Sequence, residues 1–164
     1  MPFSLNSALG TNLTATYTST EYLAGESGAY LGQRVVGNDG NTYIFVLASG
    51  AIDAGAACLF NENGTAVMVT TTNAGSVPAS IVVPQVAIAD TKYGWAVEKG
   101  ENFQVLALTA CLLDVRVYTT ATAGRIDDTA TKLIQGLRLN ATVGGATALT
   151  SATALSGMTV NTET

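Results

Sequence analysis

Turn signals spaced about ten residues apart constrain this chain more than any other feature. Asp39-Gly40 separates LGQRVV from TYIFVLAS, and Asn63-Gly64 separates AIDAGAACLF from TAVMVTTT. The flanking runs are rich in Val, Ile, Thr, Tyr and Phe, which fit a pleated, half-buried surface. An Asx-Gly pair in that setting predicts a tight type I′ hairpin turn, in which both central residues take positive φ. The same rhythm continues through SIVVPQVAIA, WAVEKG, NFQVLALTACLL, LDVRVYTT and KLIQGLRLNATV. Pro84 predicts an edge strand or a bulge, because it has no N–H to donate to a ladder. Gly136 predicts a bulge or a close backbone approach. Leu113, Val115 and Val117 alternate with Asp114, Arg116 and Tyr118, the period of a strand with one face in and one face out. No run of apolar residues recurs at helical spacing. The expectation is an all-β fold: a single antiparallel β-sandwich or barrel.

At 164 residues the chain has the length of one ordinary domain, enough to bury a core without a metal or disulfide. The compact domain is expected over residues 30–164. Its Ala/Thr/Ser/Gly-rich end either forms a last hairpin around Gly144-Gly145 or stays partly disordered. Residues 1–29 are expected to form an extended N-terminal arm or a flexible terminus. The first thirty residues scatter Leu5, Leu9, Leu13, Tyr17, Tyr22, Leu23 and Tyr30 among small polar residues, too sparsely for a core. Trp95, the only tryptophan, is expected in the core rather than at an interface.

Charged residues make up 12 % of the chain, against ~25 % in ordinary soluble domains. Mean hydropathy is +0.32. A weakly charged, somewhat apolar surface favours a protein that works in contact with something. The net charge of −5 and seven scattered basic residues give no stripe for phosphates, so neither nucleic acid nor an anionic membrane is an expected partner. VLALTACLL, the longest apolar stretch, is interrupted by Thr109 and falls short of the ~20 residues that span a bilayer. The opening MPFSLNSALG has no basic flank or long apolar run of the kind a secretory signal carries.

The chain contains no histidine, which removes Ser-His-Asp and Cys-His chemistry and most transition-metal sites. Cys58 and Cys111 sit in apolar contexts, AACLF and TACLL, and read as buried free thiols. A disulfide between neighbouring strands stays open until geometry decides it. Asp127-Asp128 is the one adjacent acidic pair. General acid–base work needs carboxylates facing each other across a cleft, and calcium loops alternate their acids. The pair therefore reads as a solvated turn. Asp114 and Arg116 are placed to pair along one strand face, worth about 0–1 kcal/mol. GNDGN and VGGAT lack the features of a phosphate loop and read as turns. No catalytic, cofactor-binding or metal-binding residue is expected, and the chain does not read as an enzyme.

Two longer segments carry a resemblance. In YLGQRVVGNDGNTYIFVLASGAIDAGAACLF a strand leads through a D-G-x-x-Y turn to a second strand and an A-I-x-A-G-x-A run. In YGWAVEKGENFQVLALTACLLDVRVYTTATAGRIDDTATKLIQGLRL, Y-G-W leads to a strand, then Y-T-T-A-T-A-G-x-I-D-D and L-I-Q-G. Together, over roughly residues 28–139, these resemble the head decoration, or capsid cement, proteins of tailed bacteriophages. The resemblance implies a structural virion protein without an active site, assembled in the host cytoplasm. It would lie on the outer capsid surface and join neighbouring major capsid protein subunits. It also implies a homo-oligomer, trimer favoured over dimer. Phe3, Leu5, Leu9, Tyr17, Tyr22 and Tyr30 are the expected capsid or oligomer contacts. The alternative is a tail- or fibre-associated, receptor-binding β-domain using the same tyrosines. A third reading, a small hydrolase, would need Asp127 or Asp128.

Overall fold

A computed structural model describes residues 11–75 and 79–160. Among the described residues there are twelve strands and one short helix. The helix, α1 (Ser19–Leu23), comes first. Then follow β1 (Arg34–Val36), β2 (Thr42–Ala48), β3 (Cys58–Phe60), β4 (Thr65–Met68), β5 (Ala79–Pro84) and β6 (Tyr93–Ala107). The second half holds β7 (Val117–Thr119), β8 (Ile126–Asp127), β9 (Leu133–Gln135), β10 (Arg138–Leu139), β11 (Ala148–Ala154) and β12 (Met158–Val160). The all-β expectation holds.

All twelve strands belong to one hydrogen-bonded sheet, but it is mixed rather than purely antiparallel. β4 runs parallel to β2, and β8 parallel to β6. The β3–β4 hairpin causes the first departure: it places its second strand, not its first, against β2.

Both Asx-Gly pairs make hairpin loops, though not of the expected type. Gly37 lies opposite Asn41 and donates its N–H to it, while Gly40 N–H bonds back to Gly37. Asn61, Thr65 and Gly64 repeat this arrangement. Only the glycines, Gly40 and Gly64, take positive φ, at 82° and 81°. These are three-residue loops closed by a left-handed glycine. Asp39 and Asn63 instead turn their side chains onto the amides of Asn41 and Thr65.

β6 is the spine. Its first half pairs with β2, from Tyr93 opposite Leu47 to Lys99 opposite Thr42. Its second half pairs with β11. Between the halves, Gly100 and Asn102 take positive φ, so one strand serves two neighbours. β5 is no edge strand: it pairs with β3, β12 and β6. Pro84 fits there as the last residue of β5, with its carbonyl accepting from Gly55.

The larger core cluster joins Phe45, Trp95, Ile81, Ile126, Leu139 and Met158. Trp95, 1 % exposed, lies inside it. A second cluster gathers Ile44, Val46, Cys58, Val82 and Ile88. The Ala/Thr-rich end contributes Ala152, Ala154, Met158 and Val160 to the core. β11 pairs back with β10 across the stretch containing Gly144 and Gly145. Gly136, at φ 82°, sits where an added Cβ would come within 3.0 Å of the Gly157 carbonyl, a close approach.

Of the expected N-terminal arm, residues 1–10 lie outside the described residues, and residues 11–29 contain the helix α1 and a β-bridge at Tyr17. Thr18 caps α1, accepting from the Glu21 amide while the Glu21 carboxylate accepts from the Thr18 amide. This reciprocal capping box stabilises a helix too short to persist by propensity. Tyr17 bridges to Tyr93 through two backbone hydrogen bonds, and Leu13, Tyr17 and Tyr22 pack against the larger cluster.

Candidate interaction surface

The residues proposed from the sequence divide into three groups. Phe3, Leu5 and Leu9 lie outside the described residues. Tyr17 and Tyr22 are half-buried: Tyr22 stacks on Tyr93, and the Tyr17 and Tyr22 ring centroids lie 6.2 and 6.1 Å from that of Phe45. Tyr30 is 67 % exposed, its backbone amide held by the Gln33 side chain.

More exposed apolar surface comes from residues that alternation assigned to a strand. Leu113 and Val115 were expected inward; instead the chain from Ala110 to Arg116 is a loop. Ala110 and Asp114 take left-handed φ of 65° and 56°. Between them Leu112 and Leu113 stand 50 % and 45 % exposed. The loop is anchored along its length. Leu112 N–H donates to Asp128 Oδ2 and Leu113 N–H to Thr142 Oγ1. Ala110 N–H bonds to Gly144, Asp114 N–H to Leu139, and the Cys111 carbonyl accepts from Val143. Two adjacent leucines are thus held outward on a fixed backbone. Asp114 does not pair with Arg116; its carboxylate lies 3.6 Å from Arg138. Leu23, Leu149 and Leu155 add further exposed apolar side chains. No periodicity in the sequence marks Leu112 and Leu113 as outward-facing, because the left-handed residues that turn them are not glycines.

Asp127 and Asp128 are half-buried beneath this loop. With Cys111 they bring three potential ligand atoms within 4.8 Å of one another. One Asp127 oxygen accepts from the Asp128 amide, and Asp128 Oδ2 from Leu112. Burial, with Asp128 and then Asp127 adding to it, pushes the Cys111 thiol up to about 11. Asp128, through its bond to Leu112, holds the backbone that shapes the leucine loop.

A polar hollow of about 330 Å³ lies between the β1–β2 loop and the bend in β6, lined by Asp39, Asn41, Lys99, Gly100, Glu101 and Leu155. Asp39 accepts from the Tyr43 hydroxyl at 2.6 Å and the Asn41 side chain at 2.8 Å. Asn41 in turn accepts from the Glu101 amide. This network ties the hairpin to β6 and leaves its polar atoms engaged with one another.

Cys58 and Cys111 are both free and buried, in different clusters. No helix among the described residues is long and apolar enough to cross a membrane. No family model, curated protein or solved structure matches the chain.

Proposed function

We propose that this chain is a structural virion protein of a tailed bacteriophage, binding the outside of the capsid and cementing neighbouring major capsid protein subunits. The observation that carries this reading is the anchored loop presenting Leu112 and Leu113 side by side. Scattered exposed leucines need no explanation, but two adjacent leucines held outward on an anchored loop offer a contiguous apolar surface for a partner to cover. The left-handed backbone at Ala110 and Asp114 costs of order 1–3 kcal/mol per residue, a strain that clusters at functional positions. Tyr30 is the remaining contact among the described tyrosines. Net charge of −5 suits an outer surface better than one lining packaged DNA.

Several modest contacts per copy, repeated over a lattice, give tight attachment through multivalency. We read the working unit as a homo-oligomer, a trimer rather than a dimer. We read the body as a barrel rather than a sandwich, because pairing runs from β2 through β4, β3, β5 and β6 and back to β2.

Co-sedimentation with empty expanded capsids and with immature procapsids of the phage that carries the gene tests the reading. Saturable binding to expanded shells, lost in Leu112→Asp/Leu113→Asp, supports it. Binding to neither shell overturns it.

A further inference from the structure

The acidic pair expected as a solvated turn is half-buried. Asp127 ends β8 and Asp128 follows it. Cys111, in the leucine loop, is 0 % exposed. Its sulfur and one oxygen of each carboxylate lie within 4.8 Å of one another. The backbone around them is tied down. Cys111 N–H donates to Leu108, and its carbonyl accepts from Val143.

Two observations point from this cluster to a cation. The first is the thiol. Cys58 S–H donates to the Ala56 carbonyl, whereas the equally buried Cys111 S–H donates to no acceptor among the described residues. The second is the charge. Two carboxylates this close repel each other, and half-buried charges ordinarily take a partner. Yet none of the ion pairs among the described residues involves Asp127 or Asp128. One oxygen of each is fixed by a backbone amide, Asp127 Oδ1 by Asp128 and Asp128 Oδ2 by Leu112. Asp127 Oδ2 and Asp128 Oδ1 accept no hydrogen bond from the described residues.

The donor set selects the cation. Magnesium and calcium take oxygen ligands, while a thiolate favours zinc and its softer relatives. Tetrahedral zinc holds sulfur at about 2.3 Å and carboxylate oxygen at about 2.0–2.2 Å. Such ligands stand about 3.3–3.6 Å apart, so small side-chain rotations bring the three atoms into range. Three protein ligands leave the fourth position to water.

We propose that Cys111, Asp127 and Asp128 form a site for a zinc-class divalent cation, which clasps the leucine loop to the end of β8. As Sγ bonds the ion, the thiol proton leaves to solvent. The amides of Asp128 and Leu112 act behind the ligands, orienting the two carboxylates. Cys111 adjoins Leu112, so the bound ion stiffens the segment that presents the leucine pair. The site stands or falls independently of the shell-binding reading.

The test uses the full chain, stripped with a chelator and moved to metal-free buffer, then titrated with zinc, cobalt(II) and calcium chlorides. One zinc per chain is expected, with release of a proton and a thermal midpoint that rises with zinc concentration. Cobalt should give a thiolate-to-metal charge-transfer band in the near ultraviolet. Cys111→Ser should abolish that band, and Cys111→Ser and Asp127→Asn should each weaken zinc binding at least about tenfold. Trp95 emission checks that the body is intact. Asp127→Asn keeps an oxygen for the Asp128 amide and decides the matter if Cys111→Ser does not fold. Zinc binding of unchanged strength in either folded variant overturns the proposal. So does the lack of a cobalt band in the unaltered chain, and so does calcium binding tighter than zinc.

Discussion

Tyr22 stacks on Tyr93 with ring centroids 4.2 Å apart and planes 14° from parallel. This contact, with Phe45 beside it, fastens the capped helix α1 to the middle of the sheet. Tyr22→Ala should lower stability by about 1–2 kcal/mol, through the lost ring pair and its buried area. Tyr22→Phe should change it little. Urea denaturation of the full chain measures both.

Stability should fall at both ends of the pH scale through one hydrogen bond. Burial works against the Asp39 charge, but hydrogen bonds from the Tyr43 hydroxyl and from Asn41 outweigh it and hold the carboxyl below its usual value. Burial, with the Asp39 carboxylate adding to it, pushes the Tyr43 hydroxyl up to about 12. A depressed carboxyl stabilises above its unfolded value and loses that contribution as pH falls through its folded one. A raised phenol stabilises below its unfolded value near ~10 and loses that contribution as pH climbs toward its folded one. Tyr43→Phe should cost about 1–3 kcal/mol at neutral pH and flatten the alkaline decline. Thermal melts from pH 3 to 11 would show both effects.

Cys58 and Cys111 should be silent in the native protein. Burial pushes the Cys58 thiol far above its usual value, with Asp53 adding to it, and Cys111 is raised as well. The thiolate is the reactive form. A thiol-specific reagent at pH 8 should label neither cysteine until denaturant is added, and then both. Mobility without reductant should match mobility with it.

Gly124 lies where the chain passes under a neighbouring loop. Its φ is 71°, and an added Cβ would come within 2.6 Å of Ala56 Cβ and 3.0 Å of Met68 Sδ. It also bonds to Val69 and accepts from Ala57. Gly124→Ala should destabilise by about 2–4 kcal/mol through overpacking and left-handed strain. Gly75→Ala, with no atom of the described residues within 4 Å of its Cβ position, is the control. Chemical denaturation of the two variants should separate them clearly.

The all-β fold, the hairpins at Asp39-Gly40 and Asn63-Gly64, the buried Trp95 and the close approach at Gly136 were legible because each rests on local chemistry. The turn type was not: Asx-Gly is compatible with two-residue and three-residue loops, and strand register chooses between them. The outward turn of Leu112 and Leu113 escaped for a related reason. Positive φ at Ala110 and Asp114 is imposed by hydrogen bonds to Gly144 and Leu139, partners distant in sequence. The parallel β2–β4 and β6–β8 pairings are likewise tertiary facts with no local mark. α1 did carry a sign, Thr18-x-x-Glu21, but a single helical turn is too short to show periodicity.

The cementing role is tested most directly by heating expanded capsids with and without saturating protein and following shell breakage by light scattering. Coated shells should survive temperatures at which bare shells break, with protection rising to a plateau as sites fill. Leu112→Asp/Leu113→Asp should leave the shells as fragile as bare ones. Coated and bare shells that break at the same temperature would contradict the role.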